Sequence, residues 1–463
     1  MNCEKKNHSL YIKWLISLGL ALALYFIPMG EAVTPEIKRF VSITIGFIAL
    51  VAFEVMPTLL ISMVLPCCYM LAGIADATVA LSPWTNTLMY LVAAGMIFSN
   101  VLNDCGLLRR IALWMIGKCG GTFNGLVYGL YFVCLAMACL SFVQAWLLMF
   151  TLAIALCKAM GYESGSKEAL LLMTSSFCGA LTSTVYTYNP AYVPLLDGAY
   201  KLIDPAMTCE WFHMYLYMLP YIPVCLLFLF ILTKIYKSHE FTINGGMSYV
   251  TDELAKMGKI SVDEKKAAVA LIFLVLFLVT STWHGLNALF GFIIAVAYLF
   301  LPGINVGKKE AVAKVNMGTI AFMVACMSIG TVGSNVGFDT LVSDIFGSFL
   351  STSGTAASLY TLFGLGAAAN FAMTPLAILT CLLNPVVQIA QNLGINPLGA
   401  IYTLLASVDF YILPYENAWA LVFYGLGMMS FKDFVKTNLL RSLMLTVALG
   451  VLFMPWWMLL GIL

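Results

Sequence analysis

Two clusters of oxygen-bearing side chains interrupt a chain that is otherwise strongly apolar. In the second, Asp409 and Glu416 flank Phe410-Tyr411-Ile412-Leu413-Pro414-Tyr415, and Asn417 follows. An ionisable side chain at membrane depth needs a cation, a proton or a donor, because an unpaired charge there is costly. Ionised, these carboxylates offer oxygen ligands to Na⁺; with burial-raised pKa values they carry protons instead. In the first, Thr182, Ser183 and Thr184 precede Asn189-Pro190, and Asn189 lies 228 positions before Asn417. Breaks at matching positions of two apolar halves point to the midplane binding site of a transporter. Backbone groups released there must be satisfied by protein, by a water-lined cavity or by ligands, since lipid offers no partner. Helix N-termini direct N–H groups at anions, while unwound carbonyls and helix C-termini coordinate cations.

Two further polar points lie between short apolar segments. Ser141-Phe142-Val143-Gln144 separates 125–140 from 145–160, and a second point at 370–375, containing Asn370 and Thr374, divides 356–389. The flanking pieces are short for a span, so each unit reads as a re-entrant hairpin with a polar tip. Candidate substrate ligands are therefore Ser141, Gln144, Asn189, Asn370, Thr374 and Asn417. Candidates for sodium or proton coupling are Ser141, Thr182, Ser183, Thr184, Thr374, Asp409 and Glu416. A structural reading competes at each position. Serine and threonine in membrane helices bond to their own i−4 carbonyls, asparagine joins helices, Glu416 sits at an aqueous mouth, and Asp409 pairs with a backbone amide. Glu54, beside Pro57, reads as structural, and His213 and His284 stand at span ends.

Composition narrows the classes. Hydrophobic residues make up 62% and charged residues 10%, with a mean hydropathy of +0.95, which describes a membrane-embedded unit. The net charge of +1 says nothing about partners; a nucleic-acid partner is not expected of a membrane-embedded chain. The 13 cysteines form no C-x-x-C pair and no zinc-type cluster with histidine, so no transition metal or cofactor is expected. H-E-x-x-H, G-x-S-x-G and G-x-x-x-x-G-K-[ST] are absent, which argues against an enzyme. With no soluble domain to hold a nucleotide, an ATP-driven pump is disfavoured. The run 10–29 is long enough to span and lacks a small-residue cleavage site, so it is not read as a cleaved leader.

The elements that position the polar points repeat in order. Spans at 10–29, 40–56, 58–74 and 88–101 lead into an amphipathic 106–117 carrying Arg109 and Arg110. The first hairpin, a broken segment at 169–200 and a span at 213–234 complete one half. After the polar stretch 238–266 come spans at 267–283, 286–301 and 319–333, an amphipathic 337–350, the second hairpin, a broken segment at 397–426 and a last span at 438–460. Placing Gly106 on Gly337 also aligns Ala94 with Ala325, Met96 with Met327 and Val101 with Val332. The expected architecture is all-α: about 11 transmembrane helices and two re-entrant hairpins in two inverted-topology repeats. The divisions are 1–36 (N-terminal segment and first span), 37–236 (first repeat), 237–264 (cytoplasmic linker) and 265–463 (second repeat). With the N-terminus cytoplasmic, 20 of the 23 Lys and Arg fall on the cytoplasmic side, Arg441 among them, and only Lys38, Arg39 and Lys201 outside. This predicts a multi-pass protein of the cell membrane with its C-terminus outside.

The segment from Phe53-Glu54-Val55-Met56-Pro57 to Leu60 resembles the acidic-x-x-Pro signature of the divalent-anion/sodium symporters. Lys259-Ile260-Ser261-Val262-Asp263-Glu264-Lys265 and Val315-Asn316-Met317-Gly318-Thr319 resemble the entry to that family's second half, and Glu416-Asn417-Ala418 is similar to its Pro-Asn-Ala motif. The resemblance covers almost the whole chain. It implies a homodimer working by an elevator mechanism, with Na⁺-coupled movement of dicarboxylates, citrate or sulfate. Family members carry Ser-Asn-Thr at both tips, whereas here the tips read Ser141-Phe142-Val143 and Met373-Thr374-Pro375, with Gln144 and Asn370 nearby. Two acids beside an anion site leave room for a zwitterionic solute. The alternatives are proton-coupled or exchange transport of another small organic solute and, in another class, an intramembrane enzyme or a channel.

Overall fold

The computed structural model describes all residues except 1, 29, 31–32, 53–54, 86, 120, 142–145, 242, 244, 339, 342–353 and 372–373. Every regular element among the described residues is helical. The first half contains α1 (Asn2–Phe26), α2 (Pro35–Ala52), α3 (Thr58–Leu71), α4 (Thr87–Asp104), α5 (Leu107–Lys118), α6 (Phe123–Ser141), α7 (Trp146–Ala159), α8 (Lys167–Tyr186), α9 (Val193–Ile203) and α10 (Tyr221–Ile235). After α11 (Gly246–Met257) come α12 (Val262–Val279), α13 (Ala288–Phe300), α14 (Met317–Asn335), α15 (Thr355–Ala369), α16 (Pro375–Asn392), α17 (Pro397–Ser407), α18 (Ala418–Gly425) and α19 (Phe431–Ala448). Short helical turns join several of these.

By length and apolarity α6, α8 and the run Phe431–Leu459, which begins with α19, each suffice to cross a bilayer, so α6 is longer than the short hairpin arm expected at 125–140. Between α4 and α5 the chain bends by 66° at Gly106, whose φ of +86° favours a residue without Cβ. This bend turns α5 away from the axis of α4. Its cations are paired: Arg109 with Glu253 of α11 at 2.6 Å and Arg110 with Glu264 of α12 at 2.8 Å. The polar stretch between the halves thus contains a docked helix, α11, rather than a plain tether. The amphipathic segment expected at 337–350 lies largely outside the described residues.

The most enclosed helices are the two that end in breaks. Ser166 caps α8 by accepting from the Ala169 amide, with Glu168 in the first turn complementing the helix dipole. From Ala169 to Val185 every residue is buried, and α6 and α7 both pack on it. A helix apolar on all sides belongs inside protein. Gly179 admits α6 closely, since a Cβ there would lie 2.7 Å from Cys134 Cβ and from the Tyr131 carbonyl.

In the second half α15 and α16 pack on α17, which is buried from Leu398 to Ser407. The glycine at this contact is Gly366 of α15, where a Cβ would meet Ser407 Oγ at 1.8 Å. Other pairings recur in the same order: α2 on α3 and α12 on α13, then α3 on α14 and α13 on α4. The last two cross between halves. Phe40, Phe47, Leu65 and Tyr69 share a core cluster with Ala325, Ile329 and Val332.

Candidate functional site: two breaks and two hairpin tips

Both breaks fall where the sequence placed them. The first separates α8 from α9, and the second, residues 408–417, separates α17 from α18.

The first break is closed mainly by local bonds, with Tyr131 (3.3 Å) and Cys225 (3.3 Å) also meeting the Thr182 hydroxyl and the Tyr215 hydroxyl meeting the Tyr188 backbone. Thr182 Oγ1 donates to the Cys178 carbonyl (2.8 Å), Ser183 to Ala180, Thr184 to Leu181 (2.7 Å) and Thr187 to Ser183 (2.7 Å). Asn189 Nδ2 donates to the Thr184 carbonyl (3.0 Å), and its Oδ1 accepts from the Ala191 amide (3.0 Å). All five side chains are buried. This is the structural pattern weighed above, with hydroxyls bonding back to their own helix. Such a hydroxyl still keeps lone pairs for a cation. Tyr188 also lines a cavity of about 500 Å³ with Asp197, Lys201, Glu210 and Trp211.

The second break is held from outside. Arg441 of α19 donates through Nη1 to Asp409 Oδ2 (2.5 Å) and through Nη2 to the Asp409 carbonyl (2.7 Å). Both side chains are 2% exposed. Tyr221 of α10 and Asn438 also bond the guanidinium, and the Tyr411 ring lies 4.6 Å from it. Ser442 donates to the Tyr411 carbonyl (3.1 Å). From the second tip, Asn370 Nδ2 donates to the carbonyls of Ser407 and Phe410, both at 2.9 Å. Glu416 binds the amides of Ile412 (3.1 Å) and Leu413 (3.0 Å) with its two carboxylate oxygens. Asn417 caps α18 by accepting from the Trp419 amide (2.9 Å).

Asp409 was expected to need a cation, a proton or a donor. The structure supplies a donor, and a charged one. Glu416 was read either as a coupling acid or as lying at an aqueous mouth; it is 1% exposed and caps a turn. Arg441, counted among the cytoplasmic charges, is a correction: it lies buried in α19. The imbalance among the remaining cations is unchanged. A lone Arg and a lone Asp inside apolar segments of one half were the signal that they would pair.

The tips supply the remaining candidates. Ser141 ends α6 and is fully buried, whereas Gln144 lies outside the described residues. Thr374 is the N-cap residue of α16. Its Oγ1 and the Oδ1 of Asn370 are both buried without a hydrogen-bond partner among the described residues. A buried polar atom left unpaired is costly; among the described residues Tyr411 Oη and the hydroxyls of Ser62, Thr174, Ser176 and Ser358 share that condition. The halves meet crosswise here. Trp146, opening α7 after the first tip, lies 4.7 Å from Trp419 at the start of α18. Leu376 of the second tip and Ala191 of the first break pack on one cluster around Met323 and Val324.

A chain whose described regular elements are all helical, with helices long and apolar enough to cross a bilayer and two buried helices that each end in a break, suits a membrane transporter. Residues 8–463 match the family described as the sodium:sulfate symporter transmembrane region. The chain belongs to that family, as its motifs suggested, and is a multi-pass transporter rather than an enzyme. No curated protein matches its sequence significantly. Its fold is similar to the crystal structure of the YdaH transporter of Alcanivorax borkumensis, which is described as having an unusual topology. The two share 15% sequence identity and a TM-score of 0.57, over 83% of this chain and 88% of that one.

Proposed function

We propose that the protein is a secondary active transporter coupling Na⁺ entry to symport of a small anion of the dicarboxylate, tricarboxylate or sulfate class. The observation that carries this reading is the pair of orphaned oxygens, Asn370 Oδ1 and Thr374 Oγ1, at the second tip. Beside them, Asn370 grips the carbonyls of the unwound segment. Oxygens without donors beside unwound carbonyls suit a hard monovalent cation, while the uncapped first turn of α16 presents N–H groups to an anion. Ser141, Gln144, Asn189 and Asn417 complete the proposed anion site, with Thr182, Ser183 and Thr184 near the coupling ion. Both acids are already engaged, Asp409 by Arg441 and Glu416 by two amides, which favours Na⁺ over the proton as driving ion.

The recurring helix pairs and the crosswise meeting of tips and breaks support two inverted repeats, 37–236 and 265–463, joined by a cytoplasmic linker at 237–264. The proposed topology has eleven spans and two re-entrant hairpins, with the N-terminus cytoplasmic and the C-terminus outside. In the elevator reading the hairpins and broken helices move as a body against α2–α4 and α12–α14, within a homodimer. Uptake of candidate anions into proteoliposomes under imposed Na⁺ or pH gradients tests the function. Acceleration by an inward Na⁺ gradient is the expected outcome. Fluxes of every candidate that ignore both gradients would reject coupled transport.

A further inference from the structure

We propose that Arg441 is a positioning residue for the second half-site, with Asp409 as its counter-charge rather than an ion ligand. The proposal rests on the transport reading above. Arg441 reaches from a regular helix to irregular backbone: one guanidinium nitrogen meets the carboxylate of Asp409 and another meets the main-chain carbonyl of the same residue. That two-point contact uses the planar fork of arginine, which an ammonium group lacks. Tyr221 Oη, Asn438 Oδ1 and the Tyr411 ring occupy the rest of the guanidinium. The adjacent Ser442 holds the Tyr411 carbonyl.

Thus α19 grips the carbonyls of 409 and 411, while Asn370, at the end of α15, grips those of 407 and 410. The unwound segment is stretched between two helices. Its position decides where Asn370 stands, and Asn370 carries one of the two orphaned oxygens of the proposed ion site. A carboxylate already facing a guanidinium presents no net charge to Na⁺. Arg441 therefore acts on ion and anion through the segment it holds.

The test compares the full-length protein with Arg441→Lys and with the neutral pair Asp409→Asn/Arg441→Gln, which leaves no unpaired buried charge. Hydrogen exchange of residues 408–413 in detergent is expected to rise about tenfold in the neutral pair, with 398–407 unchanged, as befits a local opening. In proteoliposomes both variants are expected to raise the anion KM and the half-saturating Na⁺ about tenfold, the equivalent of one charge-assisted hydrogen bond. The maximal rate should stay within about twofold of wild type. Wild-type exchange, KM and Na⁺ dependence in the neutral pair would overturn the proposal. So would loss of Na⁺ dependence with unchanged exchange, which would make Asp409 an ion ligand. If the wild type itself shows no Na⁺-driven flux, the transport reading fails, and the exchange data alone decide whether Arg441 holds the segment.

Discussion

The two breaks occupy matching places in the chain and differ in how far their carbonyls depend on distant side chains. Around the first, Thr187 and Asn189 bond to groups within five residues of themselves. Around the second, the carbonyls of 407, 409, 410 and 411 are answered by Asn370, Arg441 and Ser442, which stand 31 to 40 residues away. A break whose carbonyls are answered mostly by local bonds depends less on its neighbours. A break held by distant side chains takes its shape from the helices carrying them, here α15 and α19. The second half-site is therefore the one whose geometry can register a shift of the hairpin.

The largest expected effect tests the strut of the second break. Arg441→Ala or Asp409→Ala strands one buried charge, and breaking such a pair costs about 3–5 kcal/mol. Thermal unfolding in detergent should show a large loss of stability for either variant, with a low folded yield. If either variant melts like the wild type, the claim that α19 holds this break fails.

Asn370→Ala comes next. It leaves the buried carbonyls of Ser407 and Phe410 without their donor, and each unpaired acceptor costs about 1–3 kcal/mol. Asn370→Asp also loses the donor and, when ionised, sets a carboxylate against both carbonyls, so it should destabilise at least as much. In the symport reading, both also raise the Na⁺ concentration needed for half-maximal uptake. Gly366→Ala sharpens the point, because its methyl group would collide with Ser407 and push the end of α15, and Asn370 with it, off the segment.

The first break should tolerate the corresponding change. Asn189→Ala strands one buried carbonyl, that of Thr184, against two for Asn370, so about 1–3 kcal/mol is expected. A loss as large as that of Arg441→Ala would erase the distinction between the breaks.

How much of this was legible in the sequence follows from the range of the forces involved. Apolar runs and their interruptions are local, so the breaks at Asn189 and Asn417 could be placed from composition. The back-bonding of Thr182, Ser183 and Thr184 is also local and was foreseen as the competing structural reading. The partner of Asp409 was not found. Arg441 lies 32 residues further on, on a helix whose packing against the break depends on tertiary contacts, and its charge invited an aqueous placement. Nor was α11 read as a helix docked on α5, because its attachment depends on Arg109 and Gly117 meeting it from another segment.

The smallest effect belongs to that surface contact, which serves as a foil for the buried strut. Glu253 lies between Lys256 (2.8 Å) and Arg109 (2.6 Å), and these cations, Lys256 foremost, hold its carboxyl below the usual range. A depressed carboxylate pKa contributes stability above the unfolded-state value, about 4.3 for Glu, and loses it as pH falls through the lower folded value. Docking of α11 should thus be unchanged from neutrality to about pH 5 and weaken only in stronger acid. It should also weaken with salt, since the screening length falls from about 10 Å at 0.1 M to about 3 Å at 1 M. Raising KCl, which avoids loading a sodium site, should hasten hydrogen exchange in residues 246–257 while leaving 408–413 unaffected, because the Arg441–Asp409 pair is shielded from solvent. Glu253→Gln should reproduce the high-salt exchange of 246–257 at low salt. Equal salt sensitivity of the two regions would mean that water reaches Arg441, and the second break would then not be held by a buried pair at all.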